Sequence, residues 1–243
     1  MMLKYLIIFL ALGGGAMVSA ICGFGMGVFA MMILPYVLAS TNDCAAIVGL
    51  TSIFQAAMIC YTYFKKVQWK DMLFMIIGYL IFATIGVISS KYLAAKTLKL
   101  ILGIFLVSLS VYFIFIAKKL QIKRTKQSAL IAGSLGGIMS SLFGVGGPPA
   151  SLYYSSAYED KEMYIGTIQT YFLITNLYTT TFRAINGIIG REVLLCIPVT
   201  IAGMLIGNAL GKKIFDRINA DTLRKLIYIM MAISGIVMII ESI

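Results

Sequence analysis

Apolar residues run through this chain in long blocks, with charged residues at their borders. Charge-free spans cover 5–42, 44–64, 72–90, 100–117, 127–158, 163–182, 193–211 and 226–240, most of them near the roughly 20 residues that cross a bilayer as a helix. The pattern predicts an all-α polytopic membrane protein, a single transmembrane domain over 1–243 whose core is helix packed on helix within lipid. The first span breaks the rule, because residues 5–42 as one helix would run about 57 Å, nearly twice the roughly 30 Å hydrocarbon core. The span 127–158 is also overlong. Both are interrupted by glycines, in "CGFGMG" at 22–27 and "FGVGGPP" at 143–149.

The two interruptions belong to an internal repeat. A shift of 121 places Gly15, Ser19, Gly23 and Gly25 on Gly136, Ser140, Gly144 and Gly146, and a shift of 125 places "GYLIFATIG" (78–86) over "GMLIGNALG" (203–211). The chain therefore reads as two diverged copies, 1–117 and 128–243, joined by a basic linker at 118–127. Each copy opens with a broken apolar span and continues with three ordinary ones. The N-terminus imitates a secretory leader, with Lys4, an apolar run and the small residues Ser19 and Ala20. Cleavage is not expected, since it would remove an element that the second copy retains.

Charge decides how the broken spans run, because Lys and Arg accumulate in cytoplasmic loops. One net crossing per broken span divides the basic residues 11 against 9, which orients nothing. If each broken span is instead a re-entrant hairpin, one side collects Lys65, Lys66, Lys70, Lys118, Lys119, Lys123, Arg124, Lys126, Lys161, Lys212, Lys213, Arg217, Arg224 and Lys225, a division of 14 against 6. Both termini then face outside and the linker faces the cytoplasm. Three crossings per copy make the copies inverted relative to each other, as in many secondary transporters.

Unwound backbone inside a membrane survives where it is buried or lines a watery cavity. The hairpin tips are thus expected to enter from opposite faces and meet. Pro148 is expected at the first position of a half-helix, where its missing N–H costs nothing, with the N–H groups of Gly146, Gly147 and Ala150 free to face an anion. Gly25, Met26 and Gly27 repeat the arrangement in the first copy, and Gly23 and Gly144 join them as candidate substrate-binding residues of the two tips. Valine at Gly146 or Gly147 is expected to fail, by disfavouring any positive φ there and by filling the anion's space. The competing reading of these glycines, close helix packing, stays open for Gly23 and Gly27 and is preferred for Gly203, Gly207 and Gly211, spaced by four on a regular helix. After the second hairpin, Gln169, Asn176, Thr180 and Arg183 share one helical face, with Ser52, Gln55 and Thr62 as first-copy counterparts. Gln55 and Asn176 act either as substrate ligands or as interhelical glue. Arg183, a turn inside the outer boundary, reads as a snorkelling anchor.

The glycine-bearing half-repeats, above all "FGVGGPPASLYY" followed by "GTIQTYFLITN", make the chain similar to the TauE/SafE family, also called the sulfite exporter or TSUP family. The resemblance spans the whole chain. It implies transport of small sulfur-containing anions such as sulfite, sulfonates, taurine-like compounds or sulfoacetate, with other organic anions as alternatives. "CGFGMG" departs from the Gly-Gly-Pro form of the second copy, so the two tips are unequal.

Composition agrees, with 60% hydrophobic and 12% charged residues and a mean hydropathy of +0.97, far from soluble domains. The net charge of +11 sits mostly beside the spans, where a cytoplasmic membrane surface explains it better than nucleic acid does. Cys22, Cys44, Cys60 and Cys196 read as small apolar helix residues. No histidine is present, which removes histidine dyads and relays. Asp and Glu stand at span borders, so an intramembrane carboxylate pair is absent and no enzyme is expected. No nucleotide motif and no cofactor motif appear. A secondary or facilitated carrier for a small anion across the cell membrane follows, coupled or not to H+ or Na+, with an anion channel and a non-transporting membrane subunit or sensor as alternatives. Asp43 and Glu162 stand at the hairpin exits, either as titrating gates or as helix caps. Direction of transport and oligomeric state are not legible.

Overall fold

A computed structural model describes residues 2–38, 40–116, 123–214 and 220–243, and all regular structure among them is helical. Residues 117–122, with Lys118 and Lys119 of the linker, and the basic Arg217 lie outside the described residues. The first half comprises α1 (Met2–Cys22), the short α2 (Met26–Met31), a 3-10 turn (Leu34–Tyr36), α3 (Thr41–Tyr63), α4 (Trp69–Ser90) and α5 (Ala95–Val111), which runs into a π turn (Tyr112–Ile116). The second comprises α6 (Lys126–Phe143), α7 (Gly147–Ala157), α8 (Lys161–Ile185), α9 (Arg191–Ile214) and α10 (Ala220–Glu241). α1, α4, α9, α3 extended to Lys66 and α5 extended to Phe115 are each long and apolar enough to cross a membrane. Ile77, Ile81, Ile85 and Ile88 form an exposed stripe along α4, the outward apolar face that a polytopic membrane protein turns to lipid.

Both overlong spans break where the glycines stand. α1 ends because Gly23 adopts φ +79° and turns its N–H back onto the Ser19 carbonyl at 2.8 Å. α6 ends in the same way, with Gly144 at φ +68° and its N–H on the Ser140 carbonyl at 2.8 Å. Left-handed backbone of this kind closes a helix without steric cost only at glycine. The handedness expected at Gly146 and Gly147 is absent: Gly146 has φ −84° and Gly147 begins α7. Pro148 accordingly takes the second helical position rather than the first, where it still forfeits only a free N–H.

The capping residues also differ from expectation. Ser40 caps α3 by accepting from the Asp43 N–H (3.3 Å), and Asp160 caps α8 by accepting from the N–H groups of Glu162 (2.7 Å) and Met163 (3.1 Å). Asp43 and Glu162 sit inside the first turns, where the helix dipole favours a carboxylate, and Glu162 pairs with Lys66 at 3.4 Å. The Met163 and Glu162 N–H groups hold the exposed Asp160 carboxyl below the usual range. Its contribution to stability is therefore present above the unfolded value near 4 and lost as pH falls through the folded one. Asp160→Asn keeps an N-cap acceptor, and flux in this variant should match the parent at neutral pH.

Packing places α1 against α9 and α4 against α6, while α3 crosses α8 at the centre and α5 packs on α10. Glycines set the closest approaches. A Cβ on Gly203, Gly207 or Gly211 would lie 2.5, 1.9 or 2.9 Å from the carbonyl oxygen of Phe9, Gly13 or Met17, so these three glycines pack α9 onto α1 as their spacing predicts. Gly133 and Gly137 do the same for α6 on α4, against the carbonyls of Met75 and Tyr79 at 2.0 and 2.5 Å. At one end of the bundle Lys4 pairs with Glu192, Lys99 with Glu241, and Lys91 donates to Asn186. Near the ends of α4 and α6 away from these contacts, Asp71 accepts from Arg124 and from the Tyr158 hydroxyl.

Candidate functional site

The two helix breaks meet. A Cβ on Gly27 would lie 2.2 Å from the Gly144 carbonyl oxygen, so the first tip rests directly on the backbone of the second. Beside this contact is a cavity of about 40 Å³, above the roughly 10–15 Å³ that a single water needs. Gly25, Met26 and Gly27 contribute one wall and Gly144, Gly146 and Gly147 another. α3 adds Ser52 and Gln55, and α8 adds Gln169 and Asn176. Eight of the expected site residues thus share one cavity.

Gly23, Pro148 and Ala150 do not line it. Gly23 borders wider spaces instead, and its Cβ position lies 2.7 Å from the Tyr164 ring. Pro148 is buried in the first turn of α7, and Ala150 is fully buried in a cluster with Tyr153, Tyr154 and Tyr171. These residues shape the tips rather than face the cavity. Gly27 packs closely against the second tip and also borders the cavity.

Hydrogen bonds show how the wall is held. Gln169 donates to the Gly23 carbonyl at 3.0 Å and Gln55 to the Ala16 carbonyl at 3.3 Å, bracing the end of α1 from both central helices. Asn176 donates to the Phe172 carbonyl of its own helix at 2.9 Å. Ahead of α2, the first backbone bond runs from the Phe29 N–H to the Gly25 carbonyl at 2.9 Å, which leaves the N–H groups of Met26, Gly27 and Val28 before the ladder. α2 is only six residues long and α7 eleven, so the larger share of any helix-dipole field comes from α7.

Several wall residues escaped the sequence. Ser19, Ser140, Tyr79, Tyr171 and Thr175 all border the cavity. Ser19 and Ser140 carried a usable signal, since the shift of 121 superposes them. Tyr79 and Tyr171 carried none among 14 tyrosines. Tyr79 donates to Ser140 Oγ at 2.7 Å and shares a hydrogen bond with Thr179 Oγ1 at 2.8 Å.

Arg183 overturns its expected role. It is 1% exposed and points inward rather than snorkelling, because it lies on the face of α8 shared with Asn176 and Thr180. Its Nη1 donates to the Ala45 carbonyl at 3.1 Å, and its Nη2 to the Ser140 and Ser141 carbonyls at 2.9 and 2.7 Å. Among the described residues, the ion pairs found join other residues, and Arg183 has no carboxylate. Its acceptors Ser140 and Ser141 lie in the last turn of α6, at the negative end of that helix. A full positive charge is thus buried one residue behind the cavity wall.

From Gly23 of the first tip toward the C-terminal end of α7, a vestibule of about 570 Å³ is bordered by Lys161, Glu159 and Lys225, and a second of about 220 Å³, also bordered by Gly23, by Lys161 and Lys212. Tyr164 borders the larger one, its hydroxyl sharing a hydrogen bond with Ser151 Oγ at 3.1 Å and donating to the Cys22 carbonyl at 3.5 Å. Among the described residues no three His, Cys, Asp or Glu side chains gather to hold a metal ion.

A family model described as sulfite exporter TauE/SafE matches residues 7–238. A protein of Cupriavidus necator named probable sulfite/organosulfonate exporter TauE is 25% identical over 222 residues, covering 89% of this chain and 86% of its own length. No solved structure matches the chain. With a family match over nearly its full length, the chain belongs to the sulfite exporter TauE/SafE family.

Proposed function

We propose that the protein is a secondary or facilitated carrier that exports a small sulfur-containing oxyanion or organosulfonate across the cytoplasmic membrane. The observation that carries this reading is the small cavity between the two helix breaks, lined in part by polar side chains and backed by Arg183 without a carboxylate. An anion entering the cavity supplies the missing negative charge. Gly25, Met26, Gly27, Gly146 and Gly147 offer backbone, Gln55 and Asn176 offer side-chain amides, and the named relative supports outward transport of sulfite or organosulfonates.

Alternating access follows from two inverted copies. Support comes from the repeated element order and from the pairing of helices: exchanging the copies turns the α1–α9 contact into the α6–α4 contact, while α3–α8 and α5–α10 exchange with themselves. In this reading both termini face outside, and the vestibules bordered by Lys161, Lys212 and Lys225 open to the cytoplasm and draw anions inward. Tyr164 with its contacts to Ser151 and Cys22 forms the thin gate. The small volume of the cavity, about 40 Å³, favours a carrier over an open channel.

Flux of labelled sulfite, methanesulfonate and sulfoacetate from proteoliposomes, with and without a pH or Na+ gradient, tests the proposal. Saturable anion flux is expected. Ohmic current without saturation would identify a channel, and no flux by the purified protein would identify a subunit. Single-cysteine labelling tests the orientation, in a background without the four native cysteines, all buried. Position 123 should label only from the cytoplasmic side.

A further inference from the structure

We infer that the phenol of Tyr171 is a direct ligand of the transported anion, donating its O–H to an anion oxygen; the inference rests on the anion-carrier reading of the cavity. Tyr171 is 0% exposed, belongs to α8 and borders the cavity. Among the described residues nothing accepts a hydrogen bond from its hydroxyl. That is costly, since a buried hydroxyl gives up its water bonds and gains no replacement. Such groups in native folds call for a ligand or water to complete them.

The ring itself is well held. It meets Tyr79 edge to face at 5.9 Å and Tyr154 at 5.9 Å, so the hydroxyl has a fixed direction. Room for it comes from Gly136: a Cβ there would lie 3.5 Å from the Tyr171 oxygen and 3.3 Å from the Gly146 carbonyl oxygen, which sets the hydroxyl beside the second tip. The contrast with Tyr79 is informative. Tyr79 borders the same cavity, yet its hydroxyl is taken up by Ser140 and Thr179. Tyr171 alone of the two retains an unused donor.

A phenol remains protonated at physiological pH, so Tyr171 adds direction and no charge. Arg183 supplies a field that any anion feels. A fixed O–H selects anions that present an acceptor oxygen to it, since a site built around a donor penalises ligands that leave the donor unpaired. The substrate class is thereby narrowed to compact oxyanions.

Tyr171→Phe separates a ligand from a packing residue, because it removes the hydroxyl and keeps every ring contact. Without ligand, the purified variant should melt at or above the temperature of the parent. With sulfite or methanesulfonate titrated in, the apparent dissociation constant should rise about tenfold or more, as expected for loss of a hydrogen bond to a charged group. Tyr154→Phe is the control: its hydroxyl is likewise buried and unpaired but does not border the cavity, so its removal should leave anion binding unchanged. Equal sulfite affinity in Tyr171→Phe and the parent overturns the inference while leaving the anion site intact. A clear loss of melting temperature in ligand-free Tyr171→Phe also overturns it, because the hydroxyl would then have a structural partner. Absence of any stabilisation of the parent by either anion overturns the carrier reading, and the inference with it.

Discussion

Gly27→Ala should lower transport about hundredfold. The added methyl would stand 2.2 Å from the Gly144 carbonyl oxygen and 3.2 Å from Val48 Cγ1, and neither neighbour can retreat. Gly144 is held by its left-handed φ of +68° and by its N–H bond to Ser140, while its own Cβ position is already 3.1 Å from Val48 and 3.3 Å from the Ala45 carbonyl. The two tips must therefore separate. Overpacking by one methyl costs about 1–3 kcal/mol, and a displacement of about 1 Å at a site that depends on geometry lowers turnover about hundredfold. Flux should fall by about that factor even where the protein still folds. Gly147→Ala provides the comparison, since its methyl meets Phe24 at 3.4 Å and Phe172 at 3.7 Å, ordinary contacts. This variant should fold normally and lose only part of its flux, by narrowing the cavity. Near-parental flux in Gly27→Ala, with an unchanged melting temperature, would remove the tip contact from the mechanism.

The contrast between these two glycines shows what the sequence could reveal. Repeat matching located both breaks, because helix termination by glycine is a local event and Gly23 and Gly144 adopt the same turn. It could not say why glycine is needed at each position after the turn. Gly146 is crowded by Ser140 Cβ at 2.9 Å and the Gly136 carbonyl at 3.0 Å, a tertiary cause that spacing along the chain does not encode. Tyr171 was illegible for the same reason, since its role depends on an acceptor being absent around it. Helical spacing puts Arg183 on the correct face, but its distance from the helix end does not decide its direction. The carbonyls of Ala45, Ser140 and Ser141, from two other helices, decide it instead.

Arg183→Gln should weaken anion binding far more than it weakens the fold. With an anion roughly 7 Å from the guanidinium and an effective dielectric near 20, the attraction is about 2 kcal/mol per negative charge, or about thirtyfold in affinity. Stability responds to two opposed changes. Three carbonyls lose donors, which is unfavourable, and a buried charge without a counter-ion is removed, which is favourable. The ligand-free melting temperature should accordingly shift less than the binding free energy does. Arg183→Lys separates charge from shape: the ammonium keeps the positive field and cannot reproduce the planar fork that reaches two helices at once. It should retain most of the affinity for sulfite while lowering stability. Charge dependence gives a further readout, because removing a fixed positive charge costs a dianion about twice what it costs a monoanion. Sulfate and methanesulfonate, compared in the parent and in Arg183→Gln, should differ in that ratio. Equal losses for both anions, or loss in Arg183→Lys as severe as in Arg183→Gln, would make Arg183 a clasp for the end of α6 and leave the helix tips as the sole positive element of the site.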